Sequence, residues 1–314
     1  MQLTDRIGRR IKLQDLHVLM TVVEAGSMGK AAERLNTTQP NVSRSIADLE
    51  HAVGVRLLDR HRQGIEPTDY GRALLDSGLA AFDDLRQGVR NIEFLADPVA
   101  GEVRIGSSFF LAPTFVPAVI DRLSLRYPRM AFHLLAMQTD LLLQGLRERN
   151  VDVLITQKFD PVDDEHMNFD FLFDDSYVVV AGRQSRWARR RHVDLAELVN
   201  EPWLLPPPDS VFGLVFRQAF RVRGLDYPRA TVLTITPDAR MSLLATGRFL
   251  TIFPASILKF PVGRPELKAL PLQLAIRRLP IGIITLKNRT VSPAAKLFIE
   301  QAREVANPLA KSGR

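Results

Sequence analysis

Two short apolar stripes and several helix-starting residues share one stretch, GSMGKAAERLNTTQPNVSRSIADLE, residues 26–50. Ser27 is of the residue type that caps helices, and residues 31–35 give that helix a thin, close-packing inner face. The polar residues 36–38 interrupt the helix, and Pro40 suits the first turn of another one. The stretch therefore predicts two helices that meet at a sharp turn.

Apolar residues at helical spacing continue on both sides of that turn. From Leu13 to Val23 they predict a preceding helix, which Gly26 is placed to end. From Val42 to Val53 they are spaced by four, three and four residues and define the inner face of the last helix. By itself this pattern fits either a DNA-binding helix-turn-helix or an ordinary helical hairpin.

The outer face of the last helix carries the chemistry that the major groove of DNA requires. At 100° per residue, Pro40, Arg44, Ala47 and His51 lie opposite the apolar stripe, and Asn41 flanks them. Arginine pairs with guanine, glutamine and asparagine pair with adenine, and hydroxyl groups and helix N-termini bind phosphates. We expect this face to read bases.

The residues that follow favour DNA binding over the helical hairpin. VGVRLLDRHRQGIEPTDYG, residues 53–71, reads as two short strands around a Gln-Gly turn, with Arg60, His61 and Arg62 beside the turn. A hairpin with a basic tip suits phosphates or the minor groove, as the wing of a winged helix-turn-helix does. The predicted DNA-binding residues are Ser27, Lys30, Thr38, Gln39, Pro40, Asn41, Ser43, Arg44, Arg60 and Arg62.

Residues 13–71 resemble the DNA-binding domain of the LysR-type transcriptional regulators. The chain departs from the family pattern at Met28, at Leu58, where phenylalanine is usual, and at Asp69-Tyr70, all away from the reading face. The shared pattern consists, in order, of Ser27, Ala31-Ala32, Leu35, Gln39-Pro40, Ser43-Arg44, Leu49-Glu50, Gly54, Leu57, Arg60, Thr68 and Gly71.

A long helix is predicted from Thr68 to about Ala96. It would form a rod of roughly 40 Å, and its apolar residues are spaced by three and four like a coiled-coil seam. The seam either packs on its own domain or meets a second copy of the chain, and the family resemblance implies a dimerising linker helix. The seam residues are Phe82, Leu85, Val89, Ile92 and Ala96.

Strands and helices alternate after the break at residues 97–101. Segments from 103 to 156 predict one parallel α/β unit and segments from 177 to 254 a second one, while strands near 279–287 and a helix from Ser292 return to the first. This order resembles the family's two-lobed effector-binding domain, which is similar to periplasmic solute-binding proteins.

The predicted fold class is α/β, with an N-terminal winged helix-turn-helix, a long linker helix and a C-terminal two-lobed α/β effector-binding domain. The expected domains are an N-terminal arm at 1–12, the winged helix-turn-helix at 13–68, the linker helix at 69–96 and the effector-binding domain at 97–314, with lobe 1 at about 101–170 and 271–314 and lobe 2 at about 171–270.

A small-molecule site is predicted between the two lobes, because ligands of such sheets bind beyond the carboxyl ends of the strands. Hydroxyl and N–H groups after the first strand, ahead of a helix, suit a carboxylate or similar anion. The predicted effector-binding residues are Ser107, Ser108, Phe109, Met137, Gln138, Gln157, Pro208, Ser210, Thr236, Phe253 and Pro254.

Composition limits the function classes. The 314 residues contain no cysteine, which excludes thiol catalysis, disulfides and sulfur-ligated zinc. The net charge of +7 is poor evidence for DNA binding by the N-terminal region, because residues 1–96 hold 13 basic and 13 acidic residues and the excess lies later. RWARRRH, residues 186–192, reads as a solvated loop in preference to a second nucleic-acid site.

No sequence pattern points to an enzyme, a metal site or a cofactor. The chain lacks a Walker-type phosphate loop, a zincin motif and a nucleophile elbow, and its six histidines are scattered. We expect a cytoplasmic, ligand-responsive regulator with no membrane contact; the alternative is a solute-binding or transport component with a helical appendage. The expected partners are double-stranded DNA, a small anionic effector, further copies of the chain as a homodimer or homotetramer, and RNA polymerase.

Overall fold

The computed structural model describes residues 11–61, 64–97, 99–158, 165–260 and 266–311, with Lys311 as backbone alone. The chain forms two compact units, Met1–Val89 and Arg90–Arg314. Within the described residues, no helix is both long enough and apolar enough to cross a bilayer.

The first unit contains the predicted helix-turn-helix. Gly26 ends the first helix in a left-handed conformation with φ of 70°, and the Ser27 hydroxyl accepts a hydrogen bond of 3.2 Å from the Lys30 N–H to cap the second. Buried apolar residues of all three helices, including Leu19 and Ile46, share one core. The elements are α1 (Leu13–Ala25), α2 (Met28–Arg34), α3 (Gln39–Val53), the antiparallel hairpin β1 (Leu58–His61) and β2 (Gly64–Pro67), and α4 (Asp69–Ala96).

Residues of the family pattern hold the hairpin against the helices. One Glu50 carboxylate oxygen accepts hydrogen bonds from the Leu57 and Leu58 N–H groups, at 2.7 and 3.3 Å. The Thr68 hydroxyl donates to the Arg56 carbonyl, just before the hairpin, and accepts a hydrogen bond from the Gly71 N–H at the start of α4. A Cβ atom at Gly71 would lie 2.0 Å from the Leu57 carbonyl oxygen. These residues therefore have structural roles.

Helix α4 is 28 residues long, and its apolar residues divide between two environments. Phe82 is half-buried, and its ring lies 5.9 Å from that of His17 in the first unit. Further along, apolar side chains are exposed, up to 78% for Leu95. The seam thus packs on its own unit at Phe82, while its later residues face solvent, namely Leu85, Val89 and Ile92, together with the neighbouring Leu95.

The second unit contains ten strands, six α-helices and two 3-10 helices among its described residues. In chain order these are β3 (Ala100–Ser107), α5 (Phe115–Arg126), β4 (Arg129–Ala136), α6 (Thr139–Arg147), β5 (Val153–Gln157), β6 (Met167–Asp175), β7 (Tyr177–Gly182), a 3-10 helix (Arg186–Arg189), α7 (Leu195–Leu198), β8 (Trp203–Leu205), α8 (Val211–Arg221), β9 (Ala230–Leu233), α9 (Pro237–Leu244), β10 (Leu250–Pro254), a 3-10 helix (Ala255–Leu258), β11 (Leu267–Ala269), β12 (Leu279–Leu286) and α10 (Pro293–Lys311).

The strands form two five-stranded sheets, one in each lobe. Strand order is β4-β3-β5-β12-β6 in the first lobe and β11-β7-β10-β8-β9 in the second. The predicted return of the chain is confirmed, because β12 pairs with β5 and β6 and α10 packs on the first sheet. Both sheets are mixed and not purely parallel as predicted. Strand β12 runs antiparallel to both neighbours in the first sheet, and β7 runs antiparallel to β10 and β11 in the second.

Three details differ from the sequence-based prediction. Strands β6 and β11 were not predicted, and the predicted strands near 279–287 are one strand. The helix predicted from about Ala112 begins at Phe115. The residues after β3 form tight turns instead, in which the backbone carbonyl of Ser108 accepts hydrogen bonds from the N–H groups of Leu111 and Ala112. The helix N-terminus therefore lies further from Ser108 in sequence than expected.

A buried ion-pair cluster stabilises the first lobe. Asp152, just before β5, accepts hydrogen bonds from the side chains of Arg289, at 2.7 Å, and Arg104, at 2.8 Å. It also accepts from the Arg104 backbone N–H at 2.8 Å. The carboxylate and the Arg289 side chain are almost fully buried. Each carboxylate oxygen is hydrogen-bonded, and the buried Arg289 has its counter-charge within the same lobe.

Candidate functional site

The outer face of α3 is exposed as predicted. Thr38, Gln39, Pro40, Asn41 and Arg44 are exposed. The apolar stripe of the same helix is buried beneath them, and Ser43 is half-buried. Arg44 forms no ion pair with any described residue, so its guanidinium is available to a partner. The helix thus presents hydroxyl, amide and guanidinium groups together at its N-terminal end.

The remaining predicted DNA contacts have different environments. Lys30 and Arg60 are exposed, on α2 and on the hairpin respectively. Ser27 is half-buried, and its hydroxyl already accepts the capping hydrogen bond. Asn41 donates from its amide to the Thr37 hydroxyl at 3.2 Å. Arg62 lies outside the described residues.

Carboxyl ends of adjacent strands bring several predicted effector residues together in the first lobe. Ser107 ends β3, its carbonyl accepts from the Met137 N–H at 3.3 Å, and Ser108 donates its N–H to β5 at 3.2 Å. Gln157 ends β5 and is buried with both serines. The Ser107 hydroxyl donates to a backbone carbonyl. By contrast, the Ser108 hydroxyl and both amide atoms of Gln157 are buried without a hydrogen bond of good geometry.

Phe110 joins this edge of the first lobe to the second lobe. Its ring is buried, 5.5 Å from Phe212 and 5.7 Å from Phe253. It belongs to a core cluster made otherwise of second-lobe residues. Phe109, which was predicted in its place, is half-buried. The carboxyl edges of the two sheets therefore face each other, with Phe110 between them.

The predicted second-lobe residues do not form one cluster. Phe253 and Pro254 are buried at the end of β10, whereas Pro208 and Thr236 are exposed. Gln138 of the first lobe is also exposed. The Ser210 hydroxyl caps α8, accepting from the Gly213 N–H and donating to the Pro207 carbonyl. No hydrogen bond among the described residues joins Ser210 to the first lobe.

Sequence reasoning missed two polar residues at this junction, Arg240 and Tyr177. Arg240 of α9 is 1% exposed, and its guanidinium lies over the rings of Phe253 and Phe110, at 4.8 and 5.3 Å. Burial lowers the pKa of Arg240 to about 10. Tyr177 starts β7, beside the end of β10. Burial and the Asp175 carboxylate raise the pKa of the Tyr177 hydroxyl, while a poorly aligned hydrogen bond with the Gln157 side chain and the charge of Arg240 lower it.

Two family models match the chain, one for the helix-turn-helix unit and one for the two-lobed unit. Residues 13–72 match the bacterial regulatory helix-turn-helix protein of the lysR family, and residues 96–307 match the LysR substrate binding domain. The chain belongs to the LysR family. It is a LysR-type DNA-binding transcriptional regulator with a substrate-binding domain, which confirms the resemblance and the predicted fold class and replaces the alternative of a transport component.

Relatives and solved structures match this chain over nearly its whole length. An uncharacterized HTH-type regulator of Escherichia coli, YdcI, is 25% identical over 97% of this chain and 99% of its own length. GbpR of Azospirillum brasilense is 25% identical over 95% of this chain and 87% of its own length. A full-length OxyR variant of Pseudomonas aeruginosa has a TM-score of 0.67 at 19% identity, over 95% and 97%. CbnR complexed with its target DNA has a TM-score of 0.61 at 22% identity, over 94% and 100%.

Proposed function

We propose that this regulator reads its operator with α3 and the hairpin, and that a small anionic effector bound between the two lobes controls operator binding or DNA bending. The observation that carries the effector proposal is the facing of the two carboxyl edges across Phe110. The buried hydroxyl of Ser108 and amide of Gln157 lie at that junction without a hydrogen bond of good geometry to any described residue. A ligand that supplies those partners favours one arrangement of the lobes.

The exposed outer face of α3 supports base reading. Gln39, Asn41 and Arg44 are exposed side chains whose groups match adenine and guanine edges in the major groove. Lys30 and Arg60 supply positive charges suited to phosphates. One such helix covers only a few base pairs, and so a single copy reads too little sequence for a specific operator.

A second copy of the chain supplies the rest of the operator contact. The exposed apolar side chains of α4, from Leu85 to Leu95, provide a surface for pairing with the same helix of another copy. The resulting dimer, or dimer of dimers, binds a partly palindromic site. Its half-sites lie about one helical turn, or a multiple of it, apart.

Charge distribution supports an anionic effector. Residues 176–278, which include every strand of the second lobe, hold 16 basic and 7 acidic residues. Residues 97–175 hold 7 basic and 13 acidic residues. The excess of positive charge therefore belongs to the second lobe, and a positively charged lobe favours anions over cations as ligands. We place the regulator in the cytoplasm, where operator DNA and such metabolites meet.

Selection of bound DNA fragments by the full chain tests the proposal. We expect one partly palindromic sequence to be enriched, and an effector to change the affinity or the bend of that DNA by a coupling of about 1–3 kcal/mol. Sedimentation of the chain alone should show a dimer or tetramer. A monomer that binds single half-sites at full affinity, or enrichment of no sequence, would contradict the proposal.

A further inference from the structure

Arg240 is a buried cation with no carboxylate partner among the described residues. Its guanidinium donates only to neutral oxygens, at 3.3 Å to the Thr251 hydroxyl, 3.4 Å to the Ile252 carbonyl and 3.5 Å to the Ile235 carbonyl. Its Nε has no hydrogen-bond partner. No carboxylate of the described residues forms an ion pair with it. Burial of an unpaired charge is costly, so this arrangement requires an explanation.

Further unpaired groups surround the same junction. The Tyr177 hydroxyl, the Ser108 hydroxyl and the Gln157 amide are all buried without a hydrogen bond of good geometry. Tyr177 lies close enough to Arg240 and Gln157 for both to affect its ionisation. A buried water molecule satisfies neutral groups of this kind, but it does not neutralise a guanidinium. An anion supplies the negative charge that water cannot, and it can accept hydrogen bonds from the same groups.

We propose that Arg240 binds the carboxylate of a hydroxycarboxylic acid, and that this acid is the effector. The inference rests on the proposed function, which places an anionic effector between the lobes. Ser108, Gln157 and Tyr177 bind the hydroxyl groups of the same molecule, since their side chains all donate and accept hydrogen bonds. Phe110 and Phe253 keep water from the ion pair, which strengthens it.

The charge and polarity of the junction define this chemical class. One guanidinium neutralises one carboxylate and binds it with two parallel hydrogen bonds. A phosphate dianion would leave a second negative charge buried among phenylalanine rings. An unhydroxylated acid would leave the hydroxyl and amide groups of Ser108, Gln157 and Tyr177 to water or to one another, so it would gain fewer hydrogen bonds than a hydroxy acid.

Calorimetric titration of the full chain tests the assignment. The probes are the monocarboxylates lactate, glycerate and gluconate, with propionate and succinate as unhydroxylated acids, glucitol as a neutral polyol, and inorganic phosphate. We expect at least one of the hydroxy acids to bind. Propionate, succinate, glucitol and phosphate should bind at least about 30-fold more weakly than that acid. Arg240→Met should weaken that binding by about 30-fold or more, equivalent to about 2 kcal/mol. Arg248→Met, which removes an exposed arginine over Phe249 in the same lobe, should change it less than about twofold.

Several results would overturn the inference. These are binding of none of the hydroxy acids, equal binding by Arg240→Met, and propionate or succinate binding as tightly as the hydroxy acids. An unfolded Arg240→Met variant would show that this arginine has a structural role, and would also overturn it. Tyr177→Phe provides a second test, because it should weaken hydroxy acids selectively.

The proposed function fails separately from this inference. A wild-type chain that binds the acid but selects no operator sequence would contradict the operator proposal and leave Arg240 as an acid-binding residue. A chain that selects an operator but binds none of the hydroxy acids would do the reverse.

Discussion

Two buried arginines, one in each lobe, have opposite electrostatic environments. Arg289 in the first lobe donates to the Asp152 carboxylate at 2.7 Å, and Arg104 completes the cluster. Arg240 in the second lobe has longer hydrogen bonds to neutral oxygens and two phenylalanine rings beside it. Both side chains are almost inaccessible to solvent. Burial alone therefore does not show what a buried charge is for.

The difference lies in where the neutralising charge comes from. Asp152 precedes β5 and is fixed within the first lobe, so the ion pair with Arg289 forms whenever that lobe folds. The junction beside Arg240 contains residues of both lobes, and no described carboxylate, Asp175 included, forms an ion pair with this arginine. In our proposal the counter-charge of Arg240 comes from outside the chain. A buried arginine with a carboxylate partner in its own lobe contributes to folding, whereas a buried arginine without one is suited to ligand recognition.

Removal of the shared carboxylate should have the largest effect. Asp152→Asn leaves Arg289 buried without a counter-charge, and we expect the free energy of unfolding to fall by about 3–5 kcal/mol. Urea denaturation at neutral pH measures it. Asp170→Asn, which breaks the exposed pair with Arg303, is the matched control and should cost less than about 1 kcal/mol. Equal losses in the two variants would remove the distinction between the buried cluster and a surface pair.

A buried carboxylate at the lobe junction extends the comparison to pH. Asp175 ends β6, accepts hydrogen bonds from the N–H and hydroxyl of Ser256, and has its pKa raised from 3.8 to about 6 by burial. The folded state therefore holds this proton more tightly than the unfolded state does. Its contribution is most favourable below pH 4 and is lost as pH rises to about 6, by at most about 3 kcal/mol.

Denaturation curves across that range check the sign of the Asp175 effect. The difference in unfolding free energy between wild type and Asp175→Asn isolates this group from the other carboxylates. We expect the difference to move in favour of Asp175→Asn between pH 4 and pH 6 and to stay constant above that range. A difference that is independent of pH would show that Asp175 titrates alike in the folded and unfolded chain.

Substitution of the exposed Arg44 should have the smallest effect on stability. Its effect should be on DNA binding instead. Arg44 forms no ion pair with a described residue, and Arg44→Ala should leave stability within about 0.5 kcal/mol. It should weaken operator binding by about 1–3 kcal/mol and relax the preference for one base. Arg60→Ala should instead weaken all sequences alike and reduce the salt dependence. Equal loss of specificity in both variants would show that the assigned roles are wrong.

Local signals made most of the fold predictable. Ser27, Gly26 and Thr68 act within a few residues of their own position, and the elements that they begin or end lie where the sequence placed them. Strand β6 was missed although apolar and polar residues partly alternate along it, because four of its nine residues are Asp or Asn, which are rare in strands. Its pairing partner, β12, lies more than 100 residues later. Register with so distant a strand leaves no local pattern.

The junction between the lobes was only partly predictable. Ser107, Ser108 and Gln157 were placed together because carboxyl ends of parallel strands share an edge. Arg240 was missed because an arginine within a helical pattern normally faces solvent. Its burial comes from Phe110, 130 residues earlier in the chain, and from β10. Contacts of that kind arise from tertiary packing, which a single sequence does not encode in any local pattern.

The absence of a side chain at Gly71 has a mechanical consequence. The backbone of α4 lies so near the Leu57 carbonyl that a methyl group would not fit, and the start of the helix is thus clamped to the hairpin. Helix α4 continues without interruption for 28 residues, or about 42 Å. It is therefore a long rod whose first turn is held closely against the hairpin. A tilt of about 10° at the clamp moves the far end by about 7 Å, so a small rotation at one end becomes a displacement the size of a base-pair step or two at the other.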